Sequence, residues 1–502
     1  MILPTRKFIF LLIILNPAIL FGQSSNHWTR NFNEESSLLS GAVVGGDAGP
    51  SAIFYNPAGI AEIEESKLSV NASLFSFDII KAKNAWGDDI DFLNTRFVVV
   101  PRFVSYMVKL KKLPNWSLEF AFLNNENYQA EDLNSIDEFI DILKNNPGKE
   151  RYNTFYRYGN KFRDDWLGAG GSYKVSDQLF VGTSMFVSTR TLHYSYSIDI
   201  EAGPSVRFNE TDEQPFFTAK FKDQEYLKFN NYRLLWKFGI LYKKDNLSLG
   251  LNITTPSINV YSDGKSVMRK KSQSNITHPD TGEPVQNYLV SDFAEKKDVS
   301  VNYKNPFSVA AGATWYNHNR TKALYTTVEF FAGLDPYRMV EAEENYEMIA
   351  GSPLEELYYD DWLTYAWGAK PVLNAAIGYR WFVSKNKMIL AGFRTDFNYR
   401  KGFDYSPFLE RRTVKGFHIN RYHFTGGLTA KVLGQDLMAG LQYSFGMEKN
   451  QKQFINLSDP VEYIPENYTA LQGVRRNNMT TFWNSISLYF GATFNFDNKK
   501  EQ

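Results

Sequence analysis

Phe482-Trp483-Asn484-Ser485-Ile486-Ser487-Leu488-Tyr489-Phe490-Gly491-Ala492-Thr493-Phe494-Asn495-Phe496 is the stretch that decides the fold. The even positions carry Phe482, Asn484, Ile486, Leu488, Phe490, Ala492, Phe494 and Phe496. The odd positions carry Trp483, Ser485, Ser487, Tyr489, Gly491, Thr493 and Asn495. Successive side chains of an extended chain point to opposite faces, so a period of two over this length predicts a β-strand. One face is apolar except for Asn484; the other is mostly small or polar. That is a strand with lipid on one side and water on the other.

Working outward, the same alternation recurs in pairs. Leu234, Trp236, Phe238, Ile240 and Tyr242 lead to a turn at Lys243 to Asn246, and Leu247, Leu249, Leu251 and Ile253 lead away. Phe307, Val309, Ala311, Ala313 and Trp315 pair with Leu324, Val328 and Phe330 across Asn317 to Arg320. Leu373, Ala375, Ile377, Tyr379 and Trp381 face Ile389, Ala391, Phe393, Phe397 and Tyr399 across Ser384 to Lys387. Tyr422, Phe424, Leu428, Ala430 and Val432 face Leu437, Ala439, Leu441, Tyr443 and Phe445 across Gly434-Gln435-Asp436. Noisier hairpins turn near Lys112 to Asn115 and near Ser176 to Gln178. Asn, Asp, Gly, Ser and Lys are residues that tight turns accept.

With a first strand near 67–77 and a last near 480–496, the count is about fourteen. Between the hairpins lie polar stretches, about 78–94, 125–163, 201–231, 261–305, 333–371, 400–419 and 447–479, which are expected to be long loops. Short turns on one side and long loops on the other is the asymmetry of an outer-membrane barrel. The expected class is therefore all-β, a transmembrane antiparallel β-barrel of about 14 strands. A soluble sandwich or propeller is the competing reading, but its apolar faces would meet in a shared core. Here the faces opposite the apolar rows are rich in Gly, Ser, Thr, Asn and Ala.

Composition agrees. Aromatic residues make up 16% of the 502, with 40 Phe, 30 Tyr and 10 Trp, as interfacial girdles require. Arg6 and Lys7 followed by the apolar run Phe8 to Leu15 read as a signal peptide over 1–23, its core too short to span a bilayer. After it no run reaches the length of a membrane helix. A membrane chain without helices must close a barrel, because hydrocarbon satisfies no backbone polar group. Lys+Arg and Asp+Glu number 55 each. That balance argues against a nucleic-acid partner. There is no cysteine, hence neither a lipid-modified cysteine nor a disulfide framework.

Residues 24–66 do not alternate. Gly41 to Ala61 is rich in glycine and small residues, and holds the turn-forming Asn56-Pro57. A piece this small has too little core to fold alone. It is expected to pack in the lumen as a plug, ahead of a barrel over 67–496 and a periplasmic tail over 497–502.

Here the chain resembles the FadL/TodX family of outer-membrane transporters for hydrophobic compounds. The matching signature is Ser51-Ala52-Ile53-Phe54-Tyr55-Asn56-Pro57-Ala58-Gly59, with the family's Asn-Pro-Ala element at Asn56, Pro57 and Ala58. Pro306-Phe307-Ser308 leading into Ala311-Gly312-Ala313 also looks family-like. The resemblance implies no enzymatic chemistry and no cofactor. It implies capture of long-chain fatty acids or other hydrophobic molecules by outer loops, and rearrangement of a hatch, here residues 24–66 with the motif Phe54, Tyr55, Asn56, Pro57, Ala58 and Gly59. It also implies sideways exit at a kink in the third strand. That strand is read as Trp116 to Leu123, running into Asn124-Asn125-Glu126-Asn127, which suits a kink or an ordinary strand end.

Candidate ligand contacts follow. Leu133, Ile136, Phe139, Ile140 and Leu143 sit at helical spacing, and an amphipathic helix there would hold an alkyl chain or pack on neighbouring loops. The family's capture helices come later in the chain, so this placement departs from the pattern. Alternation puts Lys237, Arg380 and Arg394 on the inward face, with Arg190 as a further candidate; each suits a carboxylate headgroup or a lumen ion pair, such as Arg394 with Asp396. Asp164-Asp165-Trp166 and Asp360-Asp361-Trp362 are acids for a cation or, more commonly, solvated acids above a girdle. No hydrolase elbow, zincin motif, phosphate loop or Cys/His cluster is present, and the six His are scattered. The expected protein is a monomer in outer-membrane lipid that imports hydrophobic small molecules, fatty acids by default. The alternative is a FadL-like barrel serving as a PorV-like partner of a secretion system.

Overall fold

A computed structural model describes residues 26–28, 31–146, 148–204, 218–285, 290–342, 363–400, 413–465 and 469–495. The signal region, Asp360-Asp361-Trp362, Phe496 and the tail lie outside them. After two short helices, α1 (Glu34–Leu38) and α2 (Ala52–Tyr55), the chain is almost entirely strand. These are β1 (Lys67–Gly87), β2 (Ile90–Lys109), β3 (Trp116–Ile140), β4 (Glu150–Lys174), β5 (Leu179–Pro204), β6 (Ala219–Lys244) and β7 (Leu247–Thr254). Then come β8 (Ile258–Ser274), β9 (Val290–Val301), β10 (Ser308–Tyr316), β11 (Lys322–Phe331), β12 (Leu334–Glu341), β13 (Tyr365–Ala369) and β14 (Val372–Ser384). The last are β15 (Lys387–Asp396), β16 (Arg421–Val432), β17 (Gln435–Gln451), β18 (Asn456–Ile464), β19 (Thr469–Gly473) and β20 (Met479–Asn495).

Among the described residues, antiparallel ladders link β1 through β7 in order, then β10, β11, β14, β15, β16, β17 and β20, and β20 returns to β1. The wall is a closed barrel of 14 strands. Closure removes the open edges that hydrocarbon would leave unpaired. The side-chain phase is the one read in β20: Ile486, Leu488, Phe490 and Phe494 are exposed, while Ser485, Ser487, Tyr489 and Thr493 are buried. Asn484, the exception on the outer face, accepts a hydrogen bond from the Tyr443 hydroxyl (3.1 Å).

The expected loops at 78–94, 125–163 and 201–231 are mostly strand. β3 and β4 run 25 residues each and β5 and β6 run 26, where roughly ten cross a bilayer. The reason is a reversal of polarity partway up the wall. On β5 the outward face changes from Val181, Met185 and Val187 to Thr191, His193, Ser195, Ser197 and Asp199. The inward face changes from Ser184 and Ser188 to Leu192, Tyr194, Tyr196, Ile198 and Ile200. β4 and β6 switch at the same height, near the paired row Asp165, Thr189, Tyr232 and Tyr261. Below that row the outside is apolar, as hydrocarbon requires; above it the outside is polar and the inside apolar, as water requires.

The expected helix over 133–143 is likewise strand, paired with β4 as far as Ile140. Its helical spacing splits between two faces: Ile136 and Ile140 pack on the core, while Leu133 and Phe139 are exposed. β8 and β9 lean on the tall part of β6, and the hairpin β18–β19 folds over the top. The upper barrel encloses a large aromatic and aliphatic cluster. Trp86, Tyr156, Tyr158, Phe417 and Phe454 belong to one buried cluster, with Tyr158 and Phe454 stacked at 5.7 Å between ring centres.

Candidate functional site

Residues 26–63 have little regular structure, so their backbone groups need partners other than each other. The inward faces of the strands supply them. Ile53 N–H donates to the Glu119 carboxylate (3.1 Å), and Ser184 Oγ donates to Ile53 O (2.8 Å). Thr425 Oγ1 donates to Leu38 O (2.6 Å), and Ser105 Oγ to Pro50 O (2.9 Å). Asp47 pairs with Arg380 (2.9 Å) and accepts from the Tyr325 and Tyr316 hydroxyls; Glu62 pairs with Lys243. Asn56, of the signature, ties three pieces together. Its Nδ2 donates to Val44 O (2.9 Å) and to Ile240 O of β6 (3.1 Å), and its Oδ1 accepts from Ala58 N–H (3.2 Å).

Glycines make this approach possible. A Cβ at Gly250 would lie 1.8 Å from Val44 O, and one at Gly239 would lie 2.1 Å from Asn56 Oδ1. Any side chain there would occupy space taken by the segment's backbone.

Among the irregular places in the wall, one interrupts a ladder between neighbouring strands. The ladder between β2 and β3 covers Lys109↔Ser117 to Phe103↔Leu123 and stops, although both strands continue. At that height β3 carries an extra residue, Asn125, between the pairs Asn124↔Asp165 and Glu126↔Asp164. β2 carries an extra residue, Arg102, beside Pro101, whose missing N–H cannot extend a ladder. Two opposed bulges bend two strands apart. Side chains bridge the seam above. Arg96 Nη2, held on the β1 side by Asp78 (3.1 Å), donates across the seam to Asn127 O (3.4 Å), and Asn94 Nδ2 donates to Glu131 O (3.1 Å). On the outer surface Phe75 and Phe97 stack at 5.6 Å.

Behind the seam lies a cavity of about 30 Å³ lined by Asn125, Lys237, Phe54, Tyr55, Trp28, Asn252 and Glu329 among others. It has room for water but not, as it stands, for an acyl chain. Lys237 donates to Thr254 Oγ1 (3.0 Å) and stands 4.6 Å over the Phe54 ring. Glu329 is engaged elsewhere, accepting from Trp28 Nε1 and from Ser308 Oγ, both at 2.7 Å. At the short-turn end a second cavity, about 340 Å³, is ringed by Glu35, Asp47, Glu62, Lys67, Lys243, Arg380 and Asp436.

Of the candidates read from sequence, Lys237, Phe54 and Tyr55 share the first cavity, and Asn56, Pro57, Ala58 and Gly59 lie against β5 and β6. Arg190 is elsewhere, paired with Glu126 (3.2 Å) and lying over Tyr303. Arg394 is buried in β15; its neighbour Asp396 accepts from Trp28 N–H (2.8 Å). Phe139 and Ile140 end β3 far from the cavity. Asp164 is not a solvated acid: it is buried and bound by Arg233 (2.8 Å) and Ser188 Oγ (2.7 Å). Trp28 and Glu329 carry no signal in the sequence, whereas Asn125 falls in the polar run that suits a kink or a strand end. The doubled asparagine at 124–125 does not by itself distinguish a bulge from a strand end.

No family model matches the sequence, and no curated protein matches it. Solved structures do match by shape. The toluene transporter TodX of Pseudomonas putida is 13% identical with a TM-score of 0.53, over 93% of this chain and 99% of that one. A FadL homologue of Pseudomonas aeruginosa is 12% identical with a TM-score of 0.51, over 95% and 99%.

Proposed function

We propose that this chain, which shares the fold of the FadL/TodX transporters, takes up hydrophobic small molecules passively across a Gram-negative outer membrane. Residues 24–66 act as the hatch, and long-chain fatty acids are the default ligand. The observation that carries this reading is the seam between β2 and β3, with the Lys237 cavity directly behind its bulge at Asn125. Lys237 offers an ammonium for a carboxylate and Phe54 a ring for the adjoining methylenes.

Exit through the seam is also favoured by what lies below. An acyl chain gains about 0.8 kcal/mol per methylene on leaving water. The charged lower mouth would forfeit that gain, whereas the seam opens at the level of the polarity reversal, beside the exposed rings of Phe75 and Phe97.

Two results test the reading in proteoliposomes containing the purified barrel. Lys237→Ala is expected to weaken oleate binding by roughly tenfold, the scale of one charge-assisted hydrogen bond, while toluene binding is unchanged. Equal loss for both ligands, or none, would remove Lys237 from the site. Arg96→Ala is expected to speed oleate uptake several-fold, since it frees the seam of a bridge worth about 1.5–3 kcal/mol. Unaltered uptake by a barrel that assembles normally would show that the seam is not the exit.

A second reading has an observation of its own. The packed aromatic cluster of the upper barrel resembles a soluble domain more than a capture funnel, which favours the PorV-like partner role. Co-purification with a secretion complex, together with absence of oleate and toluene uptake, would decide for it.

A further inference from the structure

The outer surface just above the polarity reversal carries a row of cations that the transport reading does not use. Cross-strand pairing aligns Lys161 of β4 with His193 of β5, His193 with Lys228 of β6, Lys228 with Ser266 of β8, and Ser266 with Lys297 of β9. Lys161, His193, Lys228 and Lys297 are all exposed. Neighbouring strands stand about 4.8 Å apart, so the row spans roughly 20 Å of the wall. It lies four residues above the row of Tyr232 and Tyr261, whose rings pair at 5.8 Å. Four residues are about 13 Å along a strand, and less along the membrane normal because barrel strands tilt.

Among the described residues no carboxylate pairs with Lys161, Lys228 or Lys297. Of the acids nearby, Asp165 pairs with Arg163 and Asp263 with Lys265, Glu131 stands opposite Gly159 in another row, and Glu295 reaches the row only at Ser266, from which it accepts a hydrogen bond (3.4 Å). Partial burial, then the Lys228 and Lys161 ammoniums, hold His193 below the usual histidine range against an opposing pull from Glu131, so the charge of the row resides on its three lysines.

We infer that this row is a docking surface for phosphorylated glycolipid headgroups of the outer leaflet. Three observations meet in that occupant: the charge is positive, the spacing suits several phosphates side by side, and the height is that of headgroups above a tyrosine girdle. Cations at such a surface each contribute about 1 kcal/mol toward anionic lipid. The inference rests on the outer-membrane placement proposed above, but not on transport.

The probe is diphosphorylated lipid A added to the full-length barrel in neutral detergent, with retention read by native mass spectrometry. Dephosphorylated lipid A and inorganic phosphate are the comparison arms. The triple variant Lys161→Gln, Lys228→Gln, Lys297→Gln is expected to retain diphosphorylated lipid A at least tenfold less (about 1.4 kcal/mol) than the parent. A second triple variant, with Glu at the same positions, is expected to retain none. Equal retention by parent and Gln variant, or equal retention of dephosphorylated lipid A by the parent, would overturn the inference. So would competition by millimolar phosphate alone, which would mean a free-anion site. Oleate uptake is measured alongside: its loss in the parent would count against the transport reading and leave the lipid result standing.

Discussion

Gly250→Leu is expected to yield a barrel that assembles but no longer seats its N-terminal segment. The Cβ alone would sit 1.8 Å from Val44 O, a backbone atom, and 2.9 Å from Asn56 Nδ2, a side-chain end held by its bonds to Val44 O and Ile240 O. Ordinary overpacking of a core costs about 1–3 kcal/mol because neighbours shift. Here the neighbour is backbone held from several strands, so the segment must leave as a unit. The outward face of β7, with Leu249 and Leu251, is untouched, and the wall ladders on both sides do not involve the segment. The absence of native cysteine makes the check clean. Ser51→Cys places one thiol where Ser51 is fully buried against Ser36. Maleimide labelling of that thiol is expected to be roughly ten- to a hundredfold faster with Gly250→Leu than without it, a shift of about 1.4–2.8 kcal/mol in seating. Gly250→Ala should fall between. Equal labelling rates would mean that the segment does not depend on this approach.

Leu251→Arg is expected to cost about 2–4 kcal/mol of folding stability in vesicles, the penalty for a guanidinium at mid-bilayer. Ser197→Arg, also outward on a neighbouring part of the wall, is expected to change stability by no more than about 0.5 kcal/mol. Both side chains leave the barrel; only the solvent differs. Leu251 stands among Ile240 and Ala311, whereas Ser197 stands between Arg157 and Gln224 above the reversal. Denaturant titration of folding into vesicles separates the two. Equal costs would mean that both positions share one solvent.

These contrasts also explain what the sequence made legible. β20 and the hairpins of β6–β7, β10–β11, β14–β15 and β16–β17 lie where an apolar row faces out, so alternation and short turns mark them directly. Lys237 and Gly250 fall on the inward face by the same rule. The tall parts of β3 to β6 alternate just as well, Tyr152, Tyr156, Tyr158 and Phe162 being inward, but their outward partners are Arg, Lys and Asn. Averaged over a window such a stretch is polar, and a polar average does not distinguish a water-facing strand from a loop. Leu133, Ile136, Phe139 and Ile140 misled differently: a spacing of three and four fits a helix, and only pairing with β4 decides otherwise. The seam depends on where two ladders end, and the cavity on contacts across hundreds of residues. Neither is a local property of sequence.

The most direct test follows the reversal itself. Single cysteines at Met185, Val187, Thr191, His193, Ser195 and Ser197, all outward-facing on β5, would carry spin labels in proteoliposomes, read by collision with oxygen and with a water-soluble nickel chelate. Labels at Met185 and Val187 should favour oxygen, those from His193 to Ser197 should favour nickel, and the crossover should fall near Thr191. A uniform preference along the whole strand, for either quencher, would contradict the account.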